Sequence, residues 1–450
     1  MIAINQPIPN SFSFQILFWV FNSKGFYYYL VNYQQIKINP MSIKKLSLIV
    51  VFLAFVGLSN YAQKIYEWRN GRTGIYPDKN LLKSWPELGP QAVWEYSGIG
   101  NGYGSPVFTA DRMYILGEID TVGYLFAFDL KGNLLWKVSY GEEWVKTFRG
   151  SRSAPTVVDN LIYVCSGMGN ITCFDSEKGD KKWSANLIKD LHGSYTMHGH
   201  SESPLIEDDK VFLMPGGKDT NVVAFNRFTG KIIWICKGVG ERPAYNSPNI
   251  IRLKNRNILV TFSAYALMGI DTKTGQLLWT HVQDNVPIAE HAPGMGDTHS
   301  NTILYDNGFI YYIAGDGNCA VKLKLSADGS NITQQWRNNE VDSYMGGFVK
   351  MDSLLFVDGT AKKDFKCVNA NTGAILSTLP IGSGNTIMAD GLIYYYSQKG
   401  IVSLINPSKM EVISSFKITK GTAEHFSHPV INNGKLYVRH GNVIMAYSII

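Results

Sequence analysis

The chain has 450 residues, 45% apolar and 17% charged, with a net charge of +6 at neutral pH. Four lysines (Lys24, Lys37, Lys44 and Lys45) fall in the first 62 residues, which hold no acid; the remaining 388 residues carry 38 basic against 36 acidic side chains, and this near-balance leaves no electrostatic footprint for nucleic acid. Five cysteines without any C-x-x-C spacing exclude a haem or zinc signature.

Residues 1–40 carry Phe12, Phe14, Phe18, Trp19, Phe21, Phe26, Tyr27, Tyr28 and Tyr29, an aromatic content that suits none of the strands that follow. Residues 41–62 read as a secretory signal: Met41, Lys44 and Lys45, the apolar run Leu46 to Leu58, then Asn60-Tyr61-Ala62. The run is too short for a stable transmembrane helix. A signal starting at Met41 makes 1–40 a misassigned upstream leader; the other reading is a membrane hairpin of residues 11–31 and 46–58. The signal implies a periplasmic or secreted bacterial protein.

Residues 63–90 form a lead-in, Trp68-Arg69-Asn70-Gly71-Arg72-Thr73-Gly74 followed by Leu82-Lys83-Ser84-Trp85-Pro86 and Gly89-Pro90. From residue 91 to 450 the chain repeats itself. Ala127-Phe128-Asp129 leads to Gly132 and Trp136; Cys173-Phe174-Asp175 to Gly179 and Trp183; Ala224-Phe225-Asn226 to Gly230 and Trp234; Gly269-Ile270-Asp271 to Gly275 and Trp279. In each copy Trp follows Gly by four positions. Two apolar runs joined by an Asp/Thr/Gly turn read as a β-hairpin. A second hairpin precedes each phrase, as in Thr156-Val157-Val158, Asp159-Asn160, Leu161-Ile162-Tyr163-Val164.

Four short strands per unit, repeated, predict an all-β chain of propeller blades. Repeats begin near Ser105, Ser153, Ser203, Ser247, Asn301, Gly346 and Asn385, and three further strands follow His428-Pro429. Later copies decay: Ser377 replaces Trp in the sixth, and the seventh has none. The stretch Gln91-Ala92-Val93-Trp94-Glu95-Tyr96 looks like an outer strand lacking its blade. The expectation is therefore an eight-bladed β-propeller of four-stranded antiparallel blades, the last closed by this N-terminal strand, with seven blades as the alternative. Closure removes open sheet edges. Cys165 and Cys173 face each other across a short turn, as a disulfide or as buried thiols; Cys236, Cys319 and Cys367 read as buried thiols.

The phrase [Ala/Gly/Cys]-x-[Asp/Asn]-x-x-x-Gly-x-x-x-Trp resembles the tryptophan-docking repeat of pyrroloquinoline quinone (PQQ) propellers, in full length at Cys173–Trp183, Ala224–Trp234 and Gly269–Trp279 and one residue short at Ala127–Trp136. The lead-in is also similar to that of secreted PQQ-like propellers. The family includes quinoprotein dehydrogenases and the propeller lipoprotein of outer-membrane protein assembly. The dehydrogenases carry two adjacent cysteines over the quinone and bind Ca²⁺ through an acidic residue and an Asn. This chain has no adjacent cysteines and no motif aligning with the Ca²⁺ ligands. The lipoprotein is anchored through a Cys after its signal, whereas Ala62-Gln63 stands here.

Chemistry in such a ring belongs to the loops before the inner strands. Seven of the nine histidines lie there (His192, His198, His200, His291, His299, His425 and His428) together with Arg149, Arg152, Glu202, Glu241, Arg242, Tyr245, Glu290, Asp297 and Glu424. Arg152, His198, His200, Glu202, Arg242, Tyr245, His291, His299, His425 and His428 are the candidate ligand-binding residues of this funnel rim. Three readings stay open: a site for a polar ligand such as a sugar, peptide or quinone; a metal site using histidines and Glu202; or solvated loops of a scaffold that binds an envelope protein. Gly98-x-Gly100-x-Gly102-x-Gly104 precedes a strand and not a helix, and Asp316-Gly317-Asn318 lacks the later Glu of a calcium loop. The expectation is a monomeric ligand-binding or scaffold propeller without a catalytic motif. The alternative is a quinoprotein alcohol or sugar dehydrogenase, with a rim carboxylate as base and Arg152 or Arg242 on the quinone.

Overall fold

A computed structural model describes residues 15–22, 25–32, 64–245, 247–282, 299–315, 319–344 and 347–450. The chain divides into two compact units, residues 1–62 and 63–450. In the first, Gln15–Asn22 pairs antiparallel with Gly25–Asn32. Among the described residues no helix is long and apolar enough to cross a membrane.

The second unit is an eight-bladed β-propeller of four-stranded sheets. Blade 1 spans Val107–Phe108 to Leu134–Glu142, and blade 2 spans Thr156–Val158 to Lys181–Asn186. Blades 3 to 7 begin with inner strands Leu205–Glu207, Asn249–Arg252, Leu304–Asp306, Val349–Met351 and Gly384–Ala389. Blade 8 takes three strands from Val430–Asn432, Lys435–His440 and Val443–Ser448, and its outer strand from Ala92–Tyr96. The core is a series of apolar layers between successive blades.

The repeated phrase explains how blades join. Each blade has a register shift between its third and fourth strands, and the small residue of the phrase lies opposite Trp: Ala127 with Trp136, Cys173 with Trp183, Ala224 with Trp234, Gly269 with Trp279. The indole then reaches the next blade, where Trp136 Nε1 donates to Glu177 O (2.7 Å), Trp183 to Arg227 O (2.8 Å) and Trp234 to Thr272 O (3.0 Å). The ring lies against the next phrase's glycine: a Cβ on Gly230 would sit 2.7 Å from Trp183, and one on Gly275 2.7 Å from Trp234. Both glycines also hold positive φ. Gly and Trp are thus two halves of one contact between neighbouring blades.

Cys165 lies opposite Ile171 and Cys173 opposite Tyr163, so the two thiols are out of register. All five cysteines are free and buried, in line with the buried-thiol reading and against the disulfide.

The lead-in crosses the centre of the ring. Ile65–Tyr66 pairs antiparallel with the end of blade 2's inner strand, and Ile75–Tyr76 pairs parallel with the end of blade 7's. The segment therefore climbs toward the strand starts, turns and descends. Arg69, Asn70, Gly71 and Arg72 make the turn, all at positive φ. Such a run is unfavourable in isolation by about 1–2 kcal/mol per non-glycine residue. The chain then passes along blades 7 and 8, where Leu82 N donates to Ile449 O and Trp85 packs on Tyr394 and Phe416.

Candidate functional site

The base of the site is set by two arginines of the lead-in, each only 1% exposed. Arg69 donates to Thr386 O (2.7 Å) and Phe348 O (3.0 Å) and meets His428 Nδ1 at 3.0 Å. Arg72 pairs with Glu67 (2.6 Å) and donates to Ser203 O (3.0 Å) and Pro204 O (3.1 Å). These carbonyls stand just before the inner strands of blades 3 and 6 and within that of blade 7. Buried carbonyls need donors and a buried guanidinium needs acceptors, so the two partner each other, with Arg69 Nε and Arg72 Nη1 left without an acceptor. The tip residues Asn70 and Gly71 stay exposed.

An arc of aromatic rings runs through the rim loops of five adjacent blades. Tyr103 and Phe426 are 5.5 Å apart, Phe426 and Phe148 5.6 Å, and Phe148 and His198 5.0 Å. His198 stacks on Tyr245 at 5.8 Å. Phe148 is 42% exposed at a φ of +44°, an unfavourable backbone for a bulky residue. Arg152 holds it there, donating to Gly150 O (2.7 Å), Thr147 O (2.6 Å) and Phe148 O (2.6 Å). The polar tips of the arc are hydrogen-bonded within the rim loops. Tyr103 Oη donates to Glu424 (2.7 Å), Tyr245 Oη accepts from His198 N (2.8 Å), and His198 Nδ1 meets Thr147 Oγ1 (2.9 Å).

The structure sorts the rim candidates into three groups. Arg152, His198 and Tyr245 come together in the arc. His200, Glu202, His299 and His428 are buried. Burial pulls the His200 imidazole down to about 4 and pushes the Glu202 carboxyl up to about 8, with Arg72 and the Met214 N–H easing the latter. His299 donates Nε2–H to Ala264 O (3.1 Å) under Phe262. His425 and Arg242 lie apart. His425 meets Tyr396 Oη at 2.5 Å and stacks on His440 at 3.7 Å, and burial followed by that neighbour lowers it to about 4. Arg242 donates to Tyr265 Oη (3.2 Å) over its ring. His291 lies outside the described residues, as do Glu290 and Asp297. Among the described residues no three His, Cys, Asp or Glu side chains converge to hold a metal ion.

Reading the rim for charge and imidazole passed over Phe148 and Phe426, which share loops with Arg152 and His425, and Tyr103 in the loop before blade 1. Aromatic residues in consecutive rim loops were the available signal. The lead-in arginines lay within a motif noted only as a family likeness.

Residues 121–379 match the family model for the outer membrane protein assembly factor BamB. A quinoprotein ethanol dehydrogenase from Pseudomonas aeruginosa is 28% identical over 151 residues, 32% of this chain and 20% of that protein. A tetrathionate hydrolase from Acidithiobacillus ferrooxidans is 23% identical over 350 residues, 72% of this chain and 59% of that protein. The chain thus spans between a fifth and three fifths of the length of these curated relatives. The crystal structure of BamB from Moraxella catarrhalis superposes with a TM-score of 0.57 at 15% identity, over 80% of this chain and 97% of that one, a likeness of fold.

Proposed function

Since the chain belongs to the family of the outer membrane protein assembly factor BamB, we propose that it is a non-catalytic binding scaffold of the bacterial cell envelope, engaging its partner through the rim loops. The observation that carries this reading is the filled centre. At blades 3, 6 and 7 the main-chain carbonyls of the inner strands, which line the ring axis, are hydrogen-bonded to Arg69 and Arg72 of the chain's own lead-in.

The described residues do not fit a quinone–calcium centre. The cysteines are separate and buried in the sheets. Three carboxylates of the rim are bonded locally: Glu202 Oε1 accepts from Met214 N (2.8 Å), Glu143 from Trp144 N (2.7 Å) and Gly167 N (2.6 Å), and Glu118 is gripped by Arg149 through two bonds. A base already committed to main-chain donors is poorly placed to take a substrate proton. A secretory signal at 41–62 accords with an envelope location.

The purified protein, mixed with PQQ and Ca²⁺, is expected to leave the quinone absorbance unchanged and to reduce no dye with alcohols or sugars. Turnover in that assay would replace the scaffold reading with a quinoprotein dehydrogenase.

A further inference from the structure

We propose that the arc of Tyr103, Phe148, His198, Tyr245 and Phe426 receives an apolar side chain carried on an extended, basic segment of a partner polypeptide. The inference rests on the scaffold reading and names the chemistry of its partner.

Phe148 is the first reason. Non-glycine residues avoid positive φ, and an exposed phenyl gains little from the fold in exchange. Yet the loop is built to keep it there: Arg152 bonds the carbonyls of Thr147, Phe148 and Gly150, and Gly150 N closes the loop on Trp144 O (3.0 Å). A strained aromatic held at the surface is a mark of recognition more than of packing.

Hydrogen-bonding capacity gives the second reason. A sugar needs several donors and acceptors, but the tips of Tyr103 and Tyr245 and the His198 Nδ1 are already bonded within the arc. What these bonds leave is mostly ring surface, with the exposed Glu424 at one end. Neighbouring rim loops add Val145 (37% exposed) and Met197 (53%). A row of apolar side chains through consecutive loops fits one apolar anchor with its flanking chain.

Charge supplies the third. Arg152 is spent on loop carbonyls and Arg149 on the buried Glu118, and Lys146 lies over the Trp144 ring at 5.3 Å. Glu424 bonds Tyr103 and is itself exposed, so the arc presents a carboxylate to its surroundings. A cationic residue beside the anchor complements it.

The test measures binding of three capped peptides, Lys-Phe-Lys, Lys-Ala-Lys and Glu-Phe-Glu, and of maltose, by calorimetry or NMR titration. Lys-Phe-Lys is expected to bind about tenfold more tightly than either other peptide, with maltose silent. Phe148→Ala removes the advantage over Lys-Ala-Lys, and Glu424→Gln the advantage over Glu-Phe-Glu. Phe148→Asn separates recognition from structure, since Asn accepts this backbone: it keeps or raises Tm and still loses the phenylalanine preference. Equal binding of the three peptides, maltose binding in their place, or an unchanged preference in Phe148→Asn overturns the proposal. The quinone assay is independent of these results, so a failed peptide test leaves the scaffold reading standing.

Discussion

Six seams of the ring and the other two are closed by different means. From blade 8 through blade 6, each outer-strand Trp donates to a carbonyl of the next blade: Trp94 to Gly132, Trp136 to Glu177, Trp183 to Arg227, Trp234 to Thr272, Trp279 to Gly329 and Trp336 to Ala370. Between blades 6 and 7, and between 7 and 8, no such Trp exists, because Ser377 and Ser414 stand in its position. There the lead-in serves instead. Arg69 links Phe348 of blade 6 to Thr386 of blade 7 from inside the channel. Trp85 fills the layer between blades 7 and 8, in a core shared with Tyr76, Leu81 and Phe416. Loss of the repeat signature is therefore compensated by non-repeated sequence at the same seams, and the two kinds of seam should break differently.

The largest effect is expected from removing residues 64–90 while keeping the outer strand at 92–96. Blades 6 to 8 then lose both clamps, and hydrogen exchange should show them unprotected while blades 2 to 4 hold. Uniform loss of protection would mean that the seams do not act separately. Arg69→Met tests the inner clamp alone. It leaves buried carbonyls without donors and should cost about 3–5 kcal/mol by chemical denaturation.

Trp183→Ala is the matching test on a stitched seam, expected to cost about 3–4 kcal/mol because the ring is buried and its N–H bonded. Trp336, half-exposed on its seam, should cost less on the same substitution. Gly230→Ala presses a methyl on Trp183 and forces a positive φ, for about 1–3 kcal/mol. If Gly230→Ala costs as much in a Trp183→Ala background, the glycine serves the turn alone and not the seam.

The two kinds of seam were unequally legible in the sequence. A contact repeated six times is visible as a phrase, and periodicity alone gave the blades, their strands and the outer strand at 92–96. The lead-in occurs once, so nothing in its pattern announces that two of its arginines lie inside the ring; a buried Arg is written with the same letter as a solvated one. The rim behaved likewise. Histidines gathered in those loops because loops are where polar residues sit, and several of them turned out to be packed beneath the surface, such as His200 and His299. The strain at Phe148 depends on backbone dihedrals set by tertiary hydrogen bonds, which no local pattern encodes.

The smallest effect sharpens the comparison at the inner end of a stitched seam, where Glu202 lies beside Arg72 of the lead-in. Its carboxyl is raised to about 8 by burial, so the folded chain keeps a proton that the unfolded chain releases near 4.5. Stability from this group is complete below about 4.5 and is lost as pH rises through about 8, with a limiting slope of about 1.4 kcal/mol per pH unit. Asp358, raised to about 7, and Glu143, raised to about 6, act in the same direction over lower windows. His200 acts in the opposite one: held near 4, it weakens the fold as pH falls below 6.5. Between pH 7 and 8 the titration of Glu202 should dominate these four, so the decline in Tm over that interval should flatten in Glu202→Gln while the acid limb set by His200 stays. An unchanged slope from pH 7 to 8 in Glu202→Gln would mean that Arg72 keeps the carboxylate ionised in the fold, making this seam an ion pair across the lead-in and not a neutral contact.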